Sequence, residues 1–396
     1  MTHRLPLLAC SLAFTLFLPT GLVSAPRLPG IGAAMQAKID EREIAGAVTI
    51  VVNRDRTLHV EATGKADLAS GRPMAPDSLG WIASMSKPVT AVAVLMLQDE
   101  GKLDVADPVA KYVPEFAALR TPSGRPANLT ITQILTHTSA LGEAPLAETL
   151  KARKLADLVP VWVAAKMTGE PGAQWRYCQS GINLAGRIVE VVSGMSFDAF
   201  LRQRLFEPLG MKDTTFHPSA AQRARLAVGY SKSGDTGALT VAAPRPGYGE
   251  PENPPQGNGG LFSTAEDYAR FCQMLLNRGT AGGRRYLSER AMRALSTVQT
   301  GELPTGFFSA AEFGSRGSHY GWGLGTCVLK TPHDGVAAML SPGTFGHGGA
   351  WGTQAWIDPA RGVAYVLMVQ RANFRNSDAS SVRQAFQEAA AAALNR

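Results

Sequence analysis

Ser84 and Lys87 are the residues of this chain whose types and spacing best suit covalent chemistry. They form a Ser-x-x-Lys motif where a strongly apolar segment, Ser86–Glu100, begins. A spacing of three places both side chains on one face of a helix. The positive end of the helix dipole disfavours a further positive charge, so it lowers the pKa of Lys87 and favours the basic amine. The first turn also offers free N–H groups to a developing oxyanion. The pattern indicates a serine nucleophile with a lysine base.

The apolar segment after the motif indicates whether Ser84 and Lys87 are catalytic or a chance match. Ser-x-x-Lys occurs by chance in long chains, where the serine caps a helix and the lysine lies on the surface. Here the segment is apolar nearly all round, has Pro88 in its first turn and stops at Gly101. Those features predict a buried central helix. A serine and a lysine at the start of a buried helix favour a catalytic role.

Tyr177 is the second candidate. It follows a Pro171-Gly172 turn and precedes a predicted helix around Ile182. A phenol in such a loop, if it lies beside Lys87, could relay protons to a leaving group. Taken alone, an ordinary loop tyrosine packed by its ring is the simpler interpretation.

The third candidate is the segment Gly346–Ala350 (GHGGA), which precedes a predicted strand at Thr353. Its glycines allow the backbone to approach a ligand closely, and the Ala350 N–H could complete an oxyanion hole opposite the Ser84 N–H. A glycine-rich turn between two strands is the alternative.

Strands at both chain ends and helices between them must position these residues. The fold class predicted is mixed α/β, of the α+β kind: one antiparallel sheet built from both chain ends with flanking helices, plus an inserted, mostly helical domain. A capping-box pattern, Thr130 with Gln133, begins the helical middle. We expect a sheet subdomain at about 31–85 and 320–396 and a helical subdomain at about 86–319. The strands predicted from β-rich stretches are Gly46–Asn53, Thr57–Thr63, Gly323–Leu329, Thr353–Ile357 and Val363–Val369, and a final helix spans about Ser381–Leu394.

Composition restricts the class of protein further. The chain has 396 residues, 45% of them hydrophobic and 18% charged, with a formal net charge of +7. Because the Lys and Arg residues are scattered rather than clustered, we expect a solvated surface and no nucleic-acid partner. The seven His residues include no tight ligand pair, so no metal site is predicted. No phosphate-binding Gly-x-x-x-x-Gly-Lys motif occurs either.

The N-terminus resembles an export signal. An apolar stretch, Leu5–Val23, follows Arg4 and ends in small residues at Val23-x-Ala25. This pattern predicts a signal peptide over residues 1–25, a mature chain over 26–396, and a secreted or periplasmic location. The alternative is an uncleaved membrane anchor, since about 19 apolar residues nearly span a bilayer. No later segment predicts a membrane span. The leader aside, three cysteines remain, widely spaced, which predicts buried thiols rather than a disulfide framework.

In their order along the chain, the three motifs resemble those of class C beta-lactamases and the related family VIII carboxylesterases, within the serine beta-lactamase and penicillin-binding protein superfamily. The matching residues are Ser84-x-x-Lys87, Tyr177-x-Gln179 and His347-Gly348-Gly349. Two further stretches are similar, Ile134–Leu141 and Gly260–Asp267, and the resemblance covers roughly residues 31 to 392.

The resemblance implies a mechanism. Ser84 would attack a carbonyl and form an acyl-enzyme, while Lys87 and Tyr177 would deprotonate Ser84, protonate the leaving group and later activate water. The N–H groups of Ser84 and Ala350 would hold the oxyanion, at about 3 kcal/mol per donor. The substrate-binding residues implied are His347, Gly348, Gly349 and Gln179. The implied chemistry requires no metal or organic cofactor.

Two departures from the beta-lactamase pattern affect the expected substrate. His347 stands where those enzymes have a lysine, so a group mostly neutral at pH 7 replaces a fixed cation. Gln179 stands where Asn is usual, which shifts a side-chain amide by one methylene. Both departures favour a small ester as the partner molecule, in a carboxylesterase. Acyl preference would depend on the loops Ala243–Gly260 and Phe307–Tyr320.

Other functions stay open beside the carboxylesterase. An amide hydrolase, such as a D-amino peptidase or a beta-lactamase-like enzyme, is the first alternative. A non-catalytic cell-wall-binding protein of the same fold is the second, because fold does not determine function. An α/β-hydrolase is disfavoured, since the chain has no Gly-x-Ser-x-Gly motif.

Overall fold

The structure is a computed structural model that describes Met1 and residues 25–234, 237–243, 245–305 and 319–395. The predicted leader, residues 1–25, lies outside the described residues except at its two ends, and so does most of the Phe307–Tyr320 loop. In the described part of the chain, no helix is both long enough and apolar enough to cross a membrane.

An antiparallel sheet that joins the two ends of the chain is the centre of the fold, as predicted. Within the described residues it has seven strands, in the order β2-β1-β13-β12-β11-β10-β9, and three two-stranded pairs lie apart from it, β3 with β6, β4 with β5 and β7 with β8. The strands are β1 (Gly46–Asn53), β2 (Thr57–Gly64), β3 (Gly80–Trp81), β4 (Tyr230–Lys232), β5 (Leu239–Val241), β6 (Phe262–Ser263), β7 (Thr280–Ala281), β8 (Arg284–Arg285), β9 (Tyr320–Trp322), β10 (Cys327–Leu329), β11 (Phe345–Gly348), β12 (Gln354–Asp358) and β13 (Val363–Met368).

Helices cover both faces of this sheet. The α-helices are α1 (Ile31–Asp40), α2 (Ser86–Asp99), α3 (Ile131–Leu135), α4 (Leu146–Lys151), α5 (Val159–Ala164), α6 (Gln179–Ser193), α7 (Phe197–Leu201), α8 (Glu207–Leu209), α9 (Ala220–Ala224), α10 (Ala265–Leu276), α11 (Glu289–Ser296) and α12 (Ser381–Leu394). Single turns of 3₁₀-helix occur at Ala83–Met85, Val109–Lys111, Pro114–Ala118, Leu155–Leu158 and Ser377–Ala379, and a π-helical turn at Arg202–Phe206.

The residues of β1 show how the sheet is held between two layers. Because side chains alternate along a strand, Val48 and Ile50 enter the large core that contains α2 and α10, whereas Ala47 and Val51 enter the smaller core formed with α1 and α12. The first strand of the chain pairs directly with the last, with Ile50 opposite Val366. The two strands predicted near the N-terminus are confirmed, and they pair with each other as β1 and β2.

Helix α2 is the buried central helix that the sequence predicts. Every residue from Ser86 to Gln98 is buried, so the helix is enclosed on all sides. At about 1.5–3 kcal/mol for each fully buried large apolar side chain, this helix contributes much of the stability of the large core. The predicted capping box at Thr130 and Gln133 is confirmed at the start of α3.

Two predictions at the C-terminal end of the sheet are wrong. The stretch Gly323–Leu329 is not one strand, because a turn with Gly325 at φ +75° divides it and only its last three residues form β10. The glycine-rich segment before Thr353 is also not simply a turn. Its first part is β11, which pairs with both β10 and β12. This strand could not be predicted from the sequence, because glycine has no side chain and a glycine-rich run therefore lacks the alternation of apolar and polar residues that indicates a strand.

Candidate active site

Ser84 lies in the 3₁₀ turn Ala83–Met85, directly before α2. Lys87 stands on the first turn of that helix, and its Nζ is 3.0 Å from Ser84 Oγ. The residue before the serine, Ala83, has φ +47°, in the left-handed backbone region that residues other than glycine rarely adopt. The structure therefore brings together the serine and lysine of the motif on a constrained backbone turn.

Lys87 has no exposed surface, although it is a charged residue type. Its Nζ also donates to the backbone carbonyl of Asn258 at 2.6 Å and lies 4.6 Å from the centre of the Tyr177 ring. Burial is the main cause that holds the pKa of Lys87 well below its usual value. The sequence predicts this direction from the helix dipole, whereas the largest cause found in the structure is loss of solvation. The lowered pKa favours a neutral amine, which can accept the Ser84 proton.

Tyr177 lies in the loop that leads into α6. Its phenol is hydrogen-bonded with Ser84 and lies 3.4 Å from His347 Nε2. Burial holds the pKa of Tyr177 well above its usual value, so the phenol keeps its proton and can serve as an acid. The structure thus places Tyr177 beside both Ser84 and Lys87, as the sequence predicts.

His347 is the last but one residue of β11 and is almost fully buried. Its Nδ1 is 2.6 Å from the carbonyl oxygen of Gly348. A carbonyl can only accept a hydrogen bond, so Nδ1 carries the proton in the neutral ring and Nε2 is left as an acceptor facing the Tyr177 phenol. Burial, with Lys87 as a second cause, lowers the pKa of His347 to about 3. The ring is therefore neutral over the whole physiological range.

The end of β11 approaches the Ser84 turn more closely than any side chain would allow. A Cβ placed on Gly349 would lie 2.6 Å from the carbonyl oxygen of Ile82, and one placed on Gly348 would lie 1.8 Å from Asp378 Oδ1. Gly349 therefore packs directly against the turn that carries Ser84, and Gly348 packs against Asp378. The next residue, Ala350, lies on the wall of the cavity that Ser84 also lines. The two residues predicted to supply the oxyanion donors thus line the same cavity.

Gln179 also lines this cavity, at the first turn of α6. Its Oε1 accepts a hydrogen bond from Asn258 Nδ2 at 3.1 Å, and its backbone N–H donates to the carboxylate of Glu143. The amide oxygen is thus already occupied by a protein donor. A substrate donor that binds this oxygen would have to share it with Asn258 through the second lone pair.

Asn258 is the important residue that sequence reasoning did not single out. Besides its contacts with Lys87 and Gln179, its backbone N–H donates to Asn183 Oδ1 at 3.0 Å, and its side chain is 3.3 Å from the Tyr248 hydroxyl. The signal available was its position in a glycine-rich run, within the loop that was expected to line a site.

A cluster of aromatic side chains packs against the Tyr177 ring. His137 stacks on Tyr177 at 4.5 Å between ring centroids, and Trp175 and Trp322 pack around both rings. His137 Nδ1 accepts the N–H of Cys178, the residue after Tyr177. His137 belongs to the Ile134–Leu141 stretch that the sequence marks by resemblance alone, and the structure shows it supporting the phenol.

The cavity in front of Ser84 has a volume of about 300 Å³. Among the described residues, no group of three or more His, Cys, Asp or Glu side chains is arranged to hold a metal ion. The lining residues beyond those of the three motifs are Trp81, Ala83, Arg245, Tyr248, Asn258, Gly259, Phe374, Arg375, Asn376, Ser377 and Asp378.

The fold and the arrangement of serine, lysine and tyrosine define a class, the serine hydrolases with a beta-lactamase fold. The sequence profile of the Beta-lactamase family matches residues 31–390. The chain therefore belongs to that family.

Comparisons with individual proteins agree with this family assignment. The chain is 32% identical over 378 residues to Protein Rv1367c of Mycobacterium tuberculosis, covering 89% of this chain and 92% of the relative. It is 30% identical over 374 residues to Esterase EstB of Burkholderia gladioli, covering 86% and 90%. Among solved structures, EstCE1, described as a hydrolase with promiscuous acyltransferase activity, is similar with a TM-score of 0.74 and 22% identity, covering 91% of this chain and 97% of that one.

Proposed function

We propose that this protein is a carboxylesterase that forms an acyl-enzyme on Ser84. The observation that carries the proposal is His347, a buried histidine with its pKa lowered to about 3, which stands where the beta-lactamases have a lysine. A neutral ring cannot hold a lactam carboxylate as a fixed cation does. The likeness to Esterase EstB supports the same conclusion.

In the proposed acylation, neutral Lys87 takes the proton of Ser84 as the hydroxyl attacks the ester carbonyl. The N–H groups of Ser84 and Ala350 stabilise the oxyanion. Tyr177 then donates its proton to the leaving alcohol, and Lys87 restores that proton to the phenol. Water attacks the acyl-enzyme by the reverse sequence and releases the acid.

To test this proposal, the hydrolysis of p-nitrophenyl butyrate and of a chromogenic cephalosporin is measured with purified protein that comprises residues 26–396. We expect ester cleavage with little lactam turnover, and a loss of about 10³-fold or more for Ser84→Ala because the nucleophile is removed. Ser86→Ala is the matched control, since Ser86 begins α2 and does not line the cavity. Its buried hydroxyl donates to the carbonyl of Ala83 and accepts the N–H of Leu261.

Two results would contradict the proposal. Efficient cephalosporin turnover would show that another cation, such as Arg375 on the cavity wall, replaces the lysine. Absence of activity on both substrates, with no labelling of Ser84 by a fluorophosphonate, would favour a non-catalytic protein.

A further inference from the structure

A second cavity, largely apolar, lies beside the one in front of Ser84. Its volume is about 440 Å³, within the range typical of small-molecule sites. Apolar side chains make up most of its wall. The lining residues are Arg72, Trp81, Arg223, Leu226, Ala227, Val228, Gly229, Val241, Ala242, Arg245, Tyr248, Glu250, Phe262, Trp351 and Gln370. We call it the tryptophan pocket, after Trp81 and Trp351.

The tryptophan pocket and the active-site cavity share three lining residues, Trp81, Arg245 and Tyr248. The Trp81 ring is held in place because its Nε1 donates to the carbonyl of Gly259 at 2.6 Å. It packs on the Tyr248 ring at 5.2 Å and edge-on against Trp351, also at 5.2 Å. The two cavities are therefore adjacent, with the side chains of Trp81, Tyr248 and Arg245 forming the wall between them.

The position of Trp351 indicates which half of a substrate the pocket receives. Trp351 follows Ala350, the proposed oxyanion donor, so it lies on the side of the bound carbonyl that β11 defines. The leaving group must lie near Tyr177, which donates its proton. Tyr177 lines the active-site cavity, and neither Tyr177 nor its neighbour Lys87 is among the described residues that line the tryptophan pocket. The pocket is therefore on the acyl side of the ester.

The packing around Trp351 shows that space has been made for its ring. A Cβ on Gly229 would lie 2.1 Å from the Trp351 ring, so the ring occupies the space of the missing side chain. Two of the lining arginines are turned to backbone carbonyls, Arg72 to that of Leu226 and Arg223 to that of Pro218. These contacts satisfy polar groups at the rim and leave the interior to apolar side chains.

We propose that the tryptophan pocket binds the acyl chain of the substrate, and that the substrate class is esters of medium-length hydrophobic acids. The inference rests on the proposed esterase function, because it assigns one half of that substrate. Transfer of an alkyl chain from water to such a wall is favourable for each methylene buried. Specificity for longer acyl chains follows.

Val241→Trp tests the proposal by filling the pocket. Val241 lines it and is 67% exposed, so the larger side chain costs little stability. We expect wild-type kcat/KM to rise about tenfold from p-nitrophenyl acetate to the octanoate, and the variant to lose about tenfold on the octanoate alone. Acetate hydrolysis should stay within about twofold of wild type.

Val191→Trp is the matched control. Val191 is 40% exposed and lies on α6, away from the pocket lining, so both substrates should be cleaved as by the wild type. Equal losses on acetate and octanoate in Val241→Trp, or no loss on either, would overturn the assignment of the pocket.

Failure of the esterase function is recognised separately. It would appear as absence of wild-type acetate hydrolysis. Binding of ethylboronic and octylboronic acids, which add to a nucleophilic serine, measures the pocket without turnover. Tighter octylboronic acid binding by the wild type than by Val241→Trp supports the pocket. Identical affinities reject it.

Discussion

Burial governs the proton chemistry at the level of single residues. It is the largest cause of the lowered pKa values of Lys87, His137 and His347, and of the raised pKa of Tyr177. Each shift favours the uncharged form. Neutral Lys87 and Tyr177 beside Ser84 suit attack on an uncharged ester, since the serine can be deprotonated without an ion pair having to be separated first.

The tautomer of His347 leads to a prediction about Tyr177. Because Nε2 is the acceptor that faces the phenol, His347→Ala should lower ester kcat about 100-fold, through loss of the group that orients the Tyr177 proton. His347→Gln places an amide oxygen near the position of Nε2 and should recover activity to within about tenfold of wild type. Steady-state kinetics from pH 5 to 9 measure both effects.

His347→Asn is the control for this prediction. The side chain of Asn is one methylene shorter than that of Gln, so its amide lies near the position of Nδ1 and does not reach the Tyr177 phenol. If Asn restores activity as well as Gln does, His347 acts only by filling space. A wild-type rate limb that titrates near pH 6.5 and disappears in His347→Gln would contradict the neutral ring.

At the level of elements, the site depends on the contact between the end of β11 and the Ser84 turn. The Thr353 hydroxyl donates to the carbonyl of Ile82 at 3.2 Å, and the Gly349 N–H donates to the Thr353 carbonyl at 2.7 Å. These bonds join the strand to the turn that precedes α2. The distance between Ser84 and Ala350, the two proposed oxyanion donors, is therefore a property of this contact and not of either element alone.

Gly349→Ala should separate the two elements. The new Cβ would meet Thr353 Oγ1 at 2.1 Å and the Ile82 carbonyl at 2.6 Å, and backbone must move to relieve the clash. We expect a loss of about 1–3 kcal/mol in the free energy of unfolding, measured in urea, and a fall in kcat of about tenfold or more.

Gly169→Ala is the matched control, since its Cβ would meet nothing closer than 3.9 Å. That variant should fold and turn over as the wild type does. Full activity in Gly349→Ala would mean that Ala350 is not held to the turn by this contact.

On the scale of the whole molecule, buried neutral histidines make stability depend on pH. His59 holds the N-terminal segment to the sheet: its Nδ1 accepts the Leu28 N–H at 3.1 Å, and its Nε2 is 2.9 Å from the Thr49 hydroxyl. Burial, with Arg27 as a second cause, lowers the pKa of His59 to about 4. Glu61 lies 4.0 Å from the ring.

The sign of the pH effect follows from proton binding. Between about pH 6.5 and 4 the unfolded chain binds a proton on His59 that the folded protein does not, so stability falls as the pH falls through this range. His347 adds to the same trend. We expect Tm to drop from pH 7 to pH 4.5, and to drop less in His59→Gln, whose side chain cannot titrate. Calorimetry at several pH values measures both slopes, and equal slopes would exclude His59 as a source.

Local features of the fold could be predicted because their causes are local. The buried helix α2 is predicted by apolar residues on all of its sides. The capping box is predicted by Thr130 and Gln133, which are three residues apart. The relation of Ser84 to Lys87 belongs to the same group, since a helix places residues three apart together wherever it lies. The sequence by itself therefore determined the pairing of Ser84, the proposed nucleophile, with Lys87, and most of the elements at both chain ends.

Long-range packing decided the rest. The carbonyl of Asn258 contacts Lys87 across 171 residues of chain, and the His347 ring contacts Tyr177 across 170. A backbone carbonyl looks the same at every position, and a glycine-rich strand such as β11 has no side-chain pattern, so neither reveals its partner in the sequence. The same holds for the cause of the Lys87 pKa shift and for the tryptophan pocket. Both depend on how much water the assembled fold excludes, and that is determined only when the elements pack together.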